Sequence, residues 1–432
     1  MFHMGWFLKQ GFGVQGWGAP WSGVTHMEWM QPDPYIDMAK QLERASFDYM
    51  MIEDSLLVHD TYKGSAEFPL RRAYSVPKSD PMPLIPLIAH ATQNIGIIGT
   101  IATPFIPPFS AARLGATLDH LTKGRVGLNL VTASSHRSAQ NYGLEKHYEH
   151  DERYRMADEW MEVVEALWNS WEPDAIVADP ETGVYADHTK VHTIDFVGKY
   201  YKCRGPLNTA PGPQRKPVIC QAGGSPAGMA FATKYADTIV ASKLGIEAMK
   251  GYRAEITERL VRNQRPADSA KVLFLIAPIL AETDEEAFDR RDRQRKKEAE
   301  DWEARVERMS YMSGIDFGQF ELDEPLPDDL LPKINGHQSG MKEILSKGAT
   351  LRELTKFTPV ESIELVGSPD TVAAKMGEAM EEIGGDGFLI TNTITRRTVA
   401  EIAEGLAPAL KQRGLTRKAY EPGTFRENLL AF

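Results

Sequence analysis

The chain has 432 residues, of which 42% are hydrophobic and 25% charged, and it carries a formal net charge of −11. This composition is ordinary for a globular protein. The acidic balance argues against nucleic acid as a partner, and no apolar run approaches the roughly 18 residues of a membrane helix. Cys203 and Cys220 lie too far apart for a CxxC redox or zinc motif, and they read as reduced thiols of a cytoplasmic protein. A basic stretch followed by an apolar one is absent from the N-terminus, so no signal peptide is expected.

Short apolar runs alternate with amphipathic helical patterns along the chain. Residues 2–8 predict a first strand, and residues 34–47 a helix with Pro34 in its first turn. Tyr49 to Glu53 predicts a strand ending at Asp54, Leu84 to Thr92 a helix, and Asn94 to Gly99 a strand ending at Thr100. Ser110 to Leu121 reads as a helix with Ser110 as N-cap, followed by a strand from Arg125 to Val131. Asp151 to Trp171 carries the strongest helical stripe: Met156, Trp160, Val163, Val164, Leu167 and Trp168. Residues 173–216 interrupt the alternation as an insertion. It resumes with a strand over 218–221, a helix over 225–235, and strands over 238–241 and 272–279. Residues 282–308 mix both charge signs and predict a solvated surface helix. A second insertion, 309–359, is placed to act as a lid. A helix over 369–383, a strand over 386–391 and a helix over 399–413 complete the pattern. The tail, 414–432, is expected to pack on a neighbouring surface. Eight strands in this order predict an α/β fold, a (β/α)₈ TIM barrel with insertions, forming one domain over 1–432.

In such a barrel the C-terminal strand ends share one mouth, where chemistry is built. Asp54, Thr100, Thr132 and the run Gln221-Ala222-Gly223-Gly224-Ser225 all fall there. Ser225 can cap the following helix, with Pro226 at its first position. The bare amides of that helix start could hold a phosphate, or the segment is an ordinary capped turn. It is not a Walker loop. His150 and Tyr154 are four apart on one helix side. They are candidates for proton transfer and ligand contact, or simply a helix-start His and a half-buried Tyr. No partner at metal-site spacing accompanies them, so no metal is expected. Trp6, Phe7, Phe12, Trp17, Trp21 and Trp29 surround the first loop as core or as an apolar substrate pocket. Phe105 and Phe109 are added to the pocket candidates.

The ordered set of motifs resembles one family. Ala112-Arg113 through Leu118-Asp119, Gly124-Arg125 and Asn129-Leu130-Val131-Thr132 resembles a signature reading ARxxxxLDxLSGGRxxWNxVTS. Asn141-Tyr142-Gly143, His150-Asp151-Glu152-Arg153-Tyr154 through Trp171, Gln221 to Ser225, and Arg413-Gly414-Leu415 with Thr424 to Leu429 match further segments. Together they are similar to two-component flavin monooxygenases of the nitrilotriacetate and dibenzothiophene-sulfone monooxygenase group, within the bacterial-luciferase-like superfamily. The resemblance spans nearly the whole chain. It implies FMN, delivered reduced by a separate NAD(P)H:flavin reductase, and O₂ as co-substrate. Oxygen would be transferred to a small organic substrate through a flavin peroxide, in a homodimer or homotetramer. It further implies FMN contacts from Asp54, Thr100, Ser134, His150, Tyr154, Ala222, Gly223 and Ser225, with His150 and Tyr154 also catalytic.

The chain departs from the pattern at Ile106, Phe109 and Ser110, where relatives carry Tyr, Tyr and His, and at Ala133, where Ser134 could replace the usual serine. These losses of polarity favour an apolar or (hetero)aromatic substrate. Lys63, Arg71, Arg72 and Lys78 keep a polycarboxylate open. A deazaflavin-dependent oxidoreductase on the same fold, and a non-catalytic flavin-binding protein, are the competing readings.

Overall fold

The computed structural model describes the chain except residues 19–24, 328, 335–337, 347 and 357–360; Trp21 lies outside the described residues. Eight parallel strands close into a barrel: β1 (His3–Leu8), β2 (Tyr49–Ile52), β3 (Gly96–Ala102), β4 (Val126–Val131), β5 (Val218–Ala222), β6 (Thr238–Ala241), β7 (Lys271–Ile276) and β8 (Gly387–Ile390). Each strand pairs with its sequence neighbours, and β8 returns to β1 with Trp6 opposite Ile390. The strands read as continuous apolar runs because both faces are covered.

Helices α1 (Asp33–Arg44), α2 (Leu84–Ala91), α3 (Pro108–Leu121), α4 (His150–Trp168), α5 (Pro226–Tyr235) and α6 (Ile246–Arg262) follow the first six strands. The α6 segment carries no sequence assignment above. Its buried residues, Met249, Tyr252, Ile256 and Leu260, are spread among many charged ones, which dilutes the stripe. After β7 come α7 (Asp284–Glu300) and α8 (Trp302–Ser313), and later α9 (Pro369–Ile383). The last helical run is α10, which begins at Arg396–Ala400, passes through a π-helical turn at Glu401–Leu406 and ends as Ala407–Gln412. No described helix is long and apolar enough to cross a membrane.

Several boundaries differ from expectation. Ser110 does not cap α3: Pro107 occupies the cap position and Pro108 starts the helix, since a proline there sacrifices no hydrogen bond. Strand β7 stops at Ile276; Ile279–Leu280 instead pairs in parallel with Val366–Gly367. That short pairing closes the stem of one long excursion, so α7 belongs to the same departure from the barrel as 309–359. The excursion has its own apolar cluster. Val306, Met309, Phe317, Leu330, Met341, Leu351 and Leu354 pack there with Tyr62 and Phe68 from the segment after β2.

The tail differs most from expectation. Inward-facing Tyr49, Met51, Ile98, Val218, Cys220, Val240, Leu273 and Leu389 form one cluster with Phe425 and Leu429. The short helix Phe425–Leu429 therefore plugs the N-terminal end of the bore instead of packing on an outer surface. A Cβ on Gly96 would lie 2.6 Å from the Phe425 ring, so the small residue is what admits it. Beside the plug, Asp48 accepts from the Met4 amide (2.8 Å) and pairs with His3 Nδ1 (3.0 Å) and Arg417 (2.7 Å). Burial alone would raise the Asp48 carboxyl; His3, Arg417 and the Met4 amide outweigh burial and hold it below the ordinary carboxylate range.

Two outcomes test this account. Phe425→Ala is expected to lose about 3–5 kcal/mol by cavity formation, read as a lower Tm and denaturation midpoint. The depressed Asp48 carboxyl stabilises the fold above its unfolded value of about 3.9. That contribution disappears as pH falls through the lower folded value. The Tm difference between the wild type and Asp48→Asn should therefore be constant from neutral pH to about 4 and shrink below that.

Candidate active site at the barrel mouth

The bore is sealed below and open above. Inward-facing Phe7 and Leu275 are part-exposed, whereas Met51, Val240 and Leu273 beneath them are buried. Solvent thus reaches an apolar floor at the C-terminal end. Trp6 points the other way. Its neighbours in sequence alternate faces, and at 0% exposure it packs with Met4 and Leu8 among the outer helices. The pocket expectation for Trp6 is therefore corrected. Phe109 is corrected too: with Ser110, Arg113, Leu114 and Thr117 it lines a hollow of about 320 Å³ on the outer side of α3. Phe12 stands against Trp29 and Tyr35 (centroids 6.3 and 5.2 Å). Trp17 is 54% exposed beside His26. Phe105 is stacked on Tyr142 at 4.4 Å, with His147 at 5.3 Å.

Thr100 lies within β3, not at its end, and is 6% exposed. Its hydroxyl donates to Ile52 O (2.7 Å) and accepts from Asn129 Nδ2 (3.1 Å). The hydroxyl proton is thus committed, and Thr100 can only accept from a ligand. Among the described residues, buried Asn129 Oδ1 has no partner, an unmet acceptor on an inward position of β4. Sequence reasoning passed over Asn129, although an amide in mid-strand was the available signal.

Asp54 follows β2 and is half-buried. Burial, then the adjacent Glu53 carboxylate, pushes it up to about 7, against the opposing pull of Lys78. Glu53 is itself paired with Lys78, which also donates to Ser55 Oγ at 3.0 Å. Ser134 is half-buried in the loop after β4. The preceding Ala133 has φ +50°, and Ser135, not Ser134, caps the next turn by accepting from Arg137 N. His147 Nε2 meets Thr132 O at 3.0 Å and so carries the proton, leaving buried Nδ1 as an unpaired acceptor. Burial and Arg153 draw His147 down to about 4, so its ring is neutral.

The turn from β5 to α5 is built as the residue types suggested. Ser225 Oγ accepts from Gly228 N at 3.1 Å, and Pro226 follows it. The Ser225 hydroxyl proton is then available to an anion. Ala222 and Gly224 are exposed, and Gly223 is buried with its carbonyl held by Tyr252 OH at 2.7 Å. Tyr154 closes one side. A Cβ on Gly228 would lie 2.9 Å from its hydroxyl, and Gln221 Nε2 approaches that hydroxyl at 3.4 Å. His150 packs on Tyr154 (centroids 5.2 Å), and its Nδ1 is held by Asp151 at 2.7 Å. The structure thus joins His150, Tyr154 and the 222–228 turn on one side. Thr100 and Asn129 face each other within β3 and β4, and Asp54 follows the end of the adjoining β2.

The chain is similar to known proteins along nearly its whole length. The luciferase-like monooxygenase family matches residues 3–387. The chain is 36% identical to dimethyl-sulfide monooxygenase of Hyphomicrobium sulfonivorans, over 92% of this chain and 83% of that one. It is 30% identical to dibenzothiophene-sulfone monooxygenase of Rhodococcus erythropolis strain XP, over 99% and 96%. A solved riboflavin lyase with modified FMN and riboflavin superimposes with TM-score 0.87 at 28% identity, covering 100% of this chain and 96% of that one.

A raised carboxyl value means that ionising Asp54 costs folding stability. Stability should fall as pH rises from about 3.9 to about 7 and then level off. Asp54→Asn is expected to raise Tm at pH 8 and to leave it nearly unchanged at pH 4, as thermal scans across pH would show.

Proposed function

The chain belongs to the luciferase-like monooxygenase family, and from that premise we propose an enzyme that oxygenates a small organic substrate. It would use O₂ and reduced FMN delivered by a separate NAD(P)H:flavin reductase. The observation that carries this reading is the cradle at the β5–α5 turn, beside a buried acceptor without a partner. Ser225, the Gly228 region and Tyr154 surround a helix start able to take a phosphate. Asn129 Oδ1 offers the acceptor that the ring N–H groups of a flavin require. These features fit FMN. Reduced FMN supplies the electrons that activate O₂.

The protein's own groups position and shield. Ser225 would donate to the phosphate, and Tyr154 would bound it. His150, oriented by Asp151, stands at the edge of the same cradle, where it can hold or move a proton. Asp54, near 7, can exchange a proton at neutral pH. Phe7 and Leu275 give the floor an apolar surface for the reacting part of the substrate, aliphatic or heteroaromatic. The excursion after β7 serves as the lid that excludes water.

Two measurements test the reading. Flavin fluorescence titration should show FMN binding, weakened about tenfold or more by Gly228→Val, which fills the cradle. Rapid mixing of protein and FMNH₂ with oxygenated buffer should return the oxidised flavin spectrum more slowly than free FMNH₂ does, with His150→Ala faster than wild type. Tight FMN binding with reoxidation at the free rate would instead support a storage protein, and anaerobic oxidation with a deazaflavin would support the hydride-transfer reading.

A further inference from the structure

The cations that kept a polycarboxylate substrate open are already committed. Lys63, Arg71, Arg72 and Lys78 are engaged with Glu303, Glu67, Asp301 and Glu53. What the mouth offers instead is an aromatic stack assembled from two segments, one after β3 and one after β4.

Phe105 lies just past β3, in a turn where its amide donates to Ala102 O (3.1 Å) and the Thr103 amide donates to Val131 O (2.9 Å). It therefore stands at the C-terminal end of the barrel. The His147 ring stacks on it at 5.3 Å and is tied to the end of β4 by its contact with Thr132 O at 3.0 Å. The Tyr142 ring lies parallel to Phe105, with planes within 3° and centroids 4.4 Å apart.

Tyr142 is carried there by the segment after β4, which crosses the end of β3 to reach the segment after β2. Asn141 Nδ2 donates to Leu56 O at 2.9 Å, and Arg137 Nε donates to Asp60 at 2.9 Å. Strand β3 lies between β2 and β4. A ring that stacks on Phe105 and adjoins Asn141 thus stands over the end of β3, among the strand ends that form the mouth.

The Tyr142 side chain is held but not used up. It is 47% exposed although it lies against Phe105. Among the described residues its hydroxyl has no hydrogen-bond partner. Burial, then Asp54 and Asp80, raises that hydroxyl above the ordinary phenol value, so it keeps its proton at neutral pH. The effect of Asp54 also agrees with the contacts in setting Tyr142 on the side of the mouth where β2 ends.

We propose that Tyr142 is a specificity-determining residue: its ring stacks on an uncharged, planar aromatic substrate, and its hydroxyl donates to an oxygen acceptor on that substrate. This rests on the oxygenase reading and narrows it to one chemical class. A ring already fixed by Phe105 loses little freedom when a second ring stacks on it. A neutral donor selects an acceptor without requiring a charge. The apolar floor of Phe7 and Leu275 would take the rest of the substrate.

The test is isothermal titration of FMN-saturated protein with indanone, indane and cyclopentanone, which offer ring and acceptor, ring alone and acceptor alone. Indanone is expected to bind tightest. Tyr142→Ala should weaken indanone and indane about tenfold. Tyr142→Phe should weaken indanone about fivefold and leave indane unchanged, a split that loss of packing alone would not produce. The FMN dissociation constant should stay unchanged in both variants, showing that fold and cradle are intact. Indanone binding no tighter than cyclopentanone, affinities unchanged in both variants, or no binding of any of the three would each overturn the proposal. Failure of FMN itself to bind would instead count against the flavin reading.

Discussion

Closure of the barrel at its N-terminal end is the constraint from which the rest follows. Three aspartates repeat one device there. Asp48, Asp237 and Asp386 each immediately precede a strand, β2, β6 and β8. Each accepts from a backbone amide of the preceding or neighbouring strand: Met4, Ile219 and Val272. Each is also paired with an arginine: Arg417, Arg426 and Arg253. Burying a carboxylate is costly unless it is paired and hydrogen-bonded. Here each one is, so the charges pin register without leaving an unmet cost. With the lower end fixed by these pairs and filled by Phe425, polar groups can be left unpaired at the upper end, as Asn129 Oδ1 is. Conserving binding capacity in this way requires a scaffold that does not collapse onto it.

The barrel was legible because its signals are local. Strands β1, β2, β4, β5 and β6 fall within a residue or two of their expected bounds, and the run over 369–383 coincides with α9. The cradle was legible for the same reason: a Ser-Pro pair after an apolar run specifies its own cap geometry, and Ser225 adopts it. What escaped was set by distance in the chain. Nothing near Phe425 says that it will sit between Gly96 and Gly127, since that contact depends on where other strands begin. Nothing near Trp6 distinguishes inward from outward, because a one-residue shift exchanges the faces of a strand. Thr100 was expected at the site as a ligand contact, but its donor is used by Ile52 O, which only the β2–β3 register reveals.

The excursion after β7 is an addition to the barrel frame with packing of its own. Its stem is one short parallel pairing, Ile279–Leu280 with Val366–Gly367, and its apolar cluster is its own. It touches the barrel through the segment after β2, by the buried His59–Glu307 pair and the Tyr62–Glu303 hydrogen bond, and also through Arg290 with Glu401 of α10 and Ser362 N with Leu275 O. Of the aromatic pocket candidates, Phe7 stays part-exposed on an inward position of β1, whereas Phe12 packs against Trp29 and Tyr35 and Phe105 stacks on Tyr142.

The plug also orders events in time. Arg417 meets Asp48 across 369 residues of chain, and Phe425 enters a bore whose first wall, β1, begins at His3. All eight strands precede, along the chain, the segment that seals them. Until that segment arrives, Tyr49, Met51, Ile98 and Leu389 line an apolar channel open at the bottom. Such transiently exposed surface invites association with other chains. The segment around Phe425 is thus a molecular stopper: until it seats, the lower end of the bore presents apolar surface.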